Sequence, residues 1–186
     1  MADVINVWII DDDRSMRWVL KKALERDGLQ AVEFESGEAA LAAMEDGSPD
    51  VLITDIRMPR LDGLTLMKRI HELDAELPVI VMTAHSDLDA AVSAYEGGAF
   101  EYLPKPFDVE EAIDLVRRAA AVVRSDAPAA DPGGEMPEII GEAPAMQEVF
   151  RAIGRLSRSN ITVLINGESG TGKELVAGSL HRHSPR

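Results

Sequence analysis

Five short apolar runs, at residues 4–10, 29–34, 51–54, 78–82 and 101–103, are each followed by a stretch with helical periodicity. In the first such stretch Met16, Val19, Leu20, Ala23 and Leu24 fall on one helical face, and Gly28 ends it. A second helix is expected over 39–45, stopped by Gly47, and others over 64–73, 87–96 and 109–124, the fourth ended by Gly97 and Gly98. Five strand–helix units within about 120 residues imply an α/β fold, a five-stranded parallel doubly wound sheet with helices on both faces. Ligands of such sheets sit beyond the carboxyl ends of the strands.

The residues at those ends are therefore the candidate ligand-binding groups. The first strand ends in Asp11-Asp12-Asp13, the third in Thr54-Asp55, the fourth in Thr83-Ala84 and the fifth in Pro104-Lys105-Pro106. Clustered carboxylates repel one another and favour a shared divalent cation. Magnesium takes a few carboxylates together with waters and phosphate oxygens. A lysine beside them neutralises the metal-free site or holds a phosphoryl oxygen, and a threonine hydroxyl hydrogen-bonds another. These are the parts needed to transfer a phosphoryl group to a carboxylate. Singly, each residue has a plainer reading. Asp13 suits the N-cap of the first helix, Lys105 a loop, and Thr83 a cap, although Ser86 is better placed for that. Four chemically compatible groups at four strand ends are less readily an accident.

The segments "IIDDDRSMR", "VLITDIRMPRLDGL", "VIVMTAHSD" and "GAFEYLPKPF" resemble, in order and spacing, the receiver domain of two-component response regulators over residues 4–124. The resemblance implies a flavodoxin-like fold with Asp55 as phosphoacceptor. It implies Mg²⁺ held by Asp12, Asp55 and the main-chain carbonyl of Arg57, with Asp11 in support. It also implies that Thr83 and Lys105 bind the phosphoryl group and that Tyr102 acts with Thr83 as the switch. A cis peptide at Lys105-Pro106 is expected from the family; the residues alone permit it without establishing it. On pattern alone Tyr102 is equally a half-exposed strand residue. Asp11-Asp12-Asp13 also fits the paired aspartates of haloacid-dehalogenase-type phosphatases. Ser15 stands where that motif usually has Thr or Val, and Asp55 with "DIRMP" is left unexplained.

Beyond the receiver, composition changes. Residues 125–137, "SDAPAADPGGEMP", lack periodicity and read as a flexible linker with a charge of −3. The receiver segment carries −12 and residues 138–186 carry +1. The acidity of the first part argues against direct DNA binding there. In the last part Met146, Val149, Phe150, Ile153 and Leu156 share a helical face, and residues 161–165 read as a strand. Then come Gly167, Glu168, Ser169, Gly170, Thr171, Gly172 and Lys173, with a helix expected from Glu174. Strand, loop and helix stand in the order of a phosphate-binding loop, whose amides cradle phosphates while the lysine reaches the outer ones. Glu174 takes the place of the usual Ser or Thr.

This segment is similar to the start of the AAA+ domain of sigma-54-dependent transcription activators, whose loop reads GESGTGKE. With the receiver and "APAMQEVFRAIGRLSRS", the nearest resemblance is to activators of nitrogen control. It implies ATP at residues 167–174 and, further along such proteins, a sigma-contacting loop, sensor arginines and a helix-turn-helix module. Residues 138–186 are therefore expected to be an N-terminal fragment of that ATPase domain, and the chain itself not to be an enzyme. The implied partners are a sensor histidine kinase and, through parts beyond this chain, sigma-54 RNA polymerase and DNA; a receiver-mediated homodimer is compatible.

The rival readings are a docking module independent of phosphorylation, a sigma-54 regulator outside nitrogen control, and a nucleotide-binding enzyme centred on Lys173. The full set Asp12, Asp55, Thr83 and Lys105 opposes the first. Cysteine is absent, which excludes disulfides and thiolate metal sites. No apolar run approaches the roughly 20 residues that span a bilayer, and the start lacks a basic region and cleavage site, so no membrane association and a cytoplasmic location are expected.

Overall fold

Alternation within each apolar run sends successive side chains to opposite faces of a sheet. The computed structural model describes residues 4–84, 93–124, 144–156, 159, 161–168 and 170–183. Strands β1 (Asn6–Ile10), β2 (Gln30–Phe34), β3 (Val51–Asp55), β4 (Val79–Thr83) and β5 (Glu101–Pro104) form one parallel sheet in the order β2-β1-β3-β4-β5. The chain turns back at β1, so the sheet reverses direction of growth between β1 and β3. That reversal opens a crevice at their carboxyl ends.

Helix α1 (Arg14–Arg26) and helix α4 (Val109–Arg124) cover one face. There Val7, Ile9, Ile53, Ile80, Met82 and Leu103 meet Leu20, Leu24, Leu115 and Val116. Helices α2 (Gly37–Ala43) and α3 (Gly63–Leu73) cover the other, where Trp8, Ile10, Leu52, Val79, Val81 and Tyr102 pack with Ala40, Leu66, Met67 and Ile70. Leu24 and Leu66 have no exposed surface, and each such side chain contributes about 1.5–3 kcal/mol of burial. Gly28 takes φ +82° and closes α1, a conformation open to glycine at little cost.

The expected elements of the receiver are found with shifted ends. Helix α2 starts two residues early because the Ser36 hydroxyl accepts from the Ala39 amide at 3.3 Å and caps it there. Gly37 then fits beneath Leu61, whose Cδ2 would lie 2.9 Å from an added Cβ. Of the helix expected over 87–96, residues 93–96 are helical; residues 85–92, and the linker expected over 125–137, lie outside the described residues.

Beyond residue 124 stand helices α5 (Pro144–Leu156) and α6 (Lys173–His183). The strand expected over 161–165 is not formed: these residues have no ladder partner among the described residues, and a lone extended segment gains no inter-strand hydrogen bonds. Helix α6 begins at Lys173, one residue before the expected start.

Candidate functional site

The carboxyl ends of β1, β3, β4 and β5 bring Asp11, Asp12, Asp55, Thr83 and Lys105 to one rim. The Lys105 ammonium donates to Oδ2 of Asp11 at 2.8 Å and to Oδ2 of Asp55 at 2.5 Å, joining β5 to β1 and β3. Asp11 is fully buried, Asp55 nearly so, and Asp12 is exposed. One carboxylate oxygen from each lies within 4.8 Å of the others. These are hard oxygen donors at a spacing one small divalent ion can bridge, so they fit Mg²⁺. They form an acidic cluster of the kind at which receiver domains bind that ion.

The backbone around the cluster is fixed from several sides. Oδ1 of Asp11 accepts from the Asp13 amide at 2.8 Å, and Oδ1 of Asp55 accepts from the Arg57 amide at 3.0 Å. The Arg17 guanidinium donates to the Asp11 carbonyl at 2.6 Å. The Asp13 carboxylate accepts from the Ser15 amide at 2.8 Å, so this third aspartate caps α1. The Lys105 amide donates to the Thr83 carbonyl at 2.7 Å, and the peptide between Lys105 and Pro106 is cis. Thr83 is 1 % exposed.

Burial pushes the Asp11 carboxyl above its ordinary value, and the bonds from Lys105 and the Asp13 amide only partly offset it. Burial works against the Lys105 charge, but its hydrogen bonds to Asp11 and Asp55 outweigh this and hold its pKa above the usual lysine value. The metal-free site therefore keeps its proton on the amine.

Gly63 supports the site in a way the sequence left unread. Its amide donates to the Ile56 carbonyl at 2.8 Å, folding the β3–α3 loop back over the end of β3. A Cβ here would come within 2.8 Å of the Asp55 carbonyl carbon, closer than real contacts allow. The only advance signal was a glycine one residue past the N-cap Asp62, and a turn glycine looks the same. Tyr102 is fully buried in the core between the sheet and α3, which removes the half-exposed alternative.

The glycine-rich loop forms separately at the N-terminus of α6. Gly170 and Gly172 take φ of +86° and +81°, which L-side chains rarely adopt. The Lys173 ammonium donates to the Gly167 carbonyl at 2.6 Å and also to the Glu168 carbonyl, within its own loop. The Thr171 hydroxyl donates to the Glu168 carbonyl at 2.8 Å. Glu174 lies in the first turn of α6, and Ser169 lies outside the described residues.

A doubly wound parallel sheet with this acidic rim and its lysine defines a class, and comparison with known proteins gives the same one. Residues 7–117 match the response regulator receiver domain family and residues 139–186 match the sigma-54 interaction domain family. The DNA-binding transcriptional regulator NtrC of Salmonella typhimurium is 61 % identical over 182 residues, and that of Klebsiella pneumoniae 62 % over 184. These alignments take in 97 % and 96 % of this chain and 39 % of either relative, so the chain spans well under half their length. The solved apo receiver domain of nitrogen regulatory protein C is 57 % identical, with a TM-score of 0.60, over 67 % of this chain and 100 % of that one. Its BeF3-activated form gives 58 % and 0.57, over 64 % of this chain and 96 % of that one. The chain belongs to the response regulators, within the NtrC family. Among the described residues, no helix is long and apolar enough to cross a membrane.

Proposed function

We propose that Asp55 accepts a phosphoryl group from the phosphohistidine of a sensor kinase and that the receiver thereby controls the segment that follows it. A carboxylate oxygen of Asp55 attacks phosphorus, the P–N bond to imidazole breaks, and the imidazole leaves with that electron pair. The product is an acyl phosphate. Asp12, Asp55 and the Arg57 carbonyl would hold Mg²⁺, with Asp11 in support. The ion supplies positive charge to the phosphoryl oxygens and the carboxylates around them. Lys105, already carrying its proton between Asp11 and Asp55, is placed to bind a phosphoryl oxygen by a charge-assisted hydrogen bond. The Thr83 hydroxyl binds another, and Thr83 with Tyr102 carries the change to the β4–β5 side of the domain.

The observation that carries this reading is the Lys105 ammonium bridging Asp11 and Asp55 beside Asp12. For the whole protein, the reading extends to activation of sigma-54-dependent transcription, in nitrogen assimilation by likeness to its relatives. ATP would bind at residues 167–174, and sigma-54 polymerase and DNA would be met by other parts of the protein. The receiver domain spans residues 4–124, the linker 125–137 and the start of the ATPase domain 138–186.

The test is incubation with labelled acetyl phosphate and Mg²⁺, followed by hydroxylamine. Wild type should acquire a base- and hydroxylamine-labile label that Asp55→Asn lacks. Equal labelling of that variant would refute the assignment. Asp12→Ala should weaken Mg²⁺ binding and slow labelling while Asp55 remains the modified residue.

A further inference from the structure

Helix α5 has two working faces. At roughly 100° per residue, Val149 and Ile153 share one stripe and Arg151, Gly154 and Arg155 lie on the other side. Val149 and Ile153 are buried, with Val176 and Leu180 of α6 packed against them. Helix α6, with the glycine-rich loop at its start, is thus carried on α5.

The other face meets the receiver. The Arg155 guanidinium donates to Oε2 of Glu101, the first residue of β5. Arg151 donates to Glu111 of α4 at 2.8 Å and to Glu148 of its own helix at 3.0 Å. Glu101 is 2 % exposed, and its Oε1 accepts from the Tyr95 hydroxyl and, at 3.1 Å, from the Tyr102 amide. Gly154 lies over the Tyr95 ring, where an added Cβ would stand 2.9 Å from Cε2 and nearer still to Cδ2. Strand β5 is an edge of the sheet, and α5 lies beside it.

A buried carboxylate needs a cation to offset its desolvation. The cation paired with Glu101 comes from outside the receiver, from Arg155. A glycine in mid-helix costs about 1 kcal/mol relative to alanine, and its reason here is room for Tyr95. The two features complement each other across one contact. We propose that the Tyr95, Glu101 and Glu111 face of the receiver is an intramolecular latch for helix α5. While the latch is closed, α6 and its loop are held against the receiver, and a partner reaching this face must first displace the helix.

Amide exchange of the 186-residue chain, read by mass spectrometry over residues 148–156, tests this. Gly154→Ala lies outside the receiver and removes the approach to Tyr95. It should speed exchange there about tenfold or more while residues 51–55 stay protected. Arg155→Glu should do the same. Wild-type protection should not vary with chain concentration. Wild-type exchange rates in Gly154→Ala and Arg155→Glu would overturn the latch. Protection lost on dilution would also overturn it, by assigning the helix to a second copy.

Discussion

Asp11 follows β1 and Asp55 ends the adjacent β3, with one amine between them, and that amine decides how the two acids behave. Lys105→Ala should lower stability by about 3–5 kcal/mol in a urea melt, because two largely buried carboxylates lose their counter-charge. Mg²⁺ should restore more stability to this variant than it adds to wild type, since the ion supplies the missing charge. An equal Mg²⁺ effect on both proteins would contradict the bridging role. Gly63→Ala should cost about 1–3 kcal/mol by overpacking and should also slow labelling by acetyl phosphate, because the end of β3 must move. Unchanged stability would show that the loop has room. The charged residues were legible in the sequence because their chemistry is unusual at strand ends. Gly63 was not, since its role depends on a carbonyl eight residues earlier that only the folded loop brings near.

Elements were legible wherever periodicity was long, and their ends moved where a side chain captured an amide, as Ser36 does for α2. Residues 161–165 carry a strand pattern, yet strand formation needs a neighbour as well as a pattern. The contact between α5 and β5 had no sequence signal, because glutamate in a short strand and arginine in a helix are each unremarkable alone. It does leave a titration signature. Burial first, then the charge of Glu101, raise the Tyr95 hydroxyl well above its ordinary value of 10.0. The unfolded chain gives up this proton first, so the stability it contributes is complete below about pH 10 and is lost as pH rises further. The Cζ resonance of Tyr95 should therefore show no ionisation near pH 10 while the chain is folded. Gly154→Ala should bring the titration back toward 10. A wild-type titration at the ordinary value would mean the ring is not enclosed.

At the scale of the whole molecule, an acidic rim with its lysine and a glycine-rich loop at the start of α6 occur in one chain. The loop is closed on itself: Lys173 is bonded to the Gly167 and Glu168 carbonyls, and residues 161–168 are not part of a sheet. A loop before a helix N-terminus still attracts anions, so weak phosphate binding at Gly170, Gly172 and Lys173 is expected. ATP turnover by the 186-residue chain is not expected, because hydrolysis needs a positioned metal-binding acid and a polarised water. A steady-state ATPase assay of the chain and of Lys173→Ala checks this. Activity that disappears in the variant would show a working site.

The sequence alone determined the order of the receiver's elements, the parallel sheet and the residues at its carboxyl rim. It could do so because side-chain period and strand-end chemistry are local properties of the chain. Tertiary structure decided which oxygens Lys105 holds, that Tyr102 is enclosed rather than half-exposed, and that β5 is covered by α5. Those outcomes join residues tens of positions apart, such as Lys105 to Asp11 and Arg155 to Glu101. Their energies come from burial and pairing, which exist only once the strands and helices have packed.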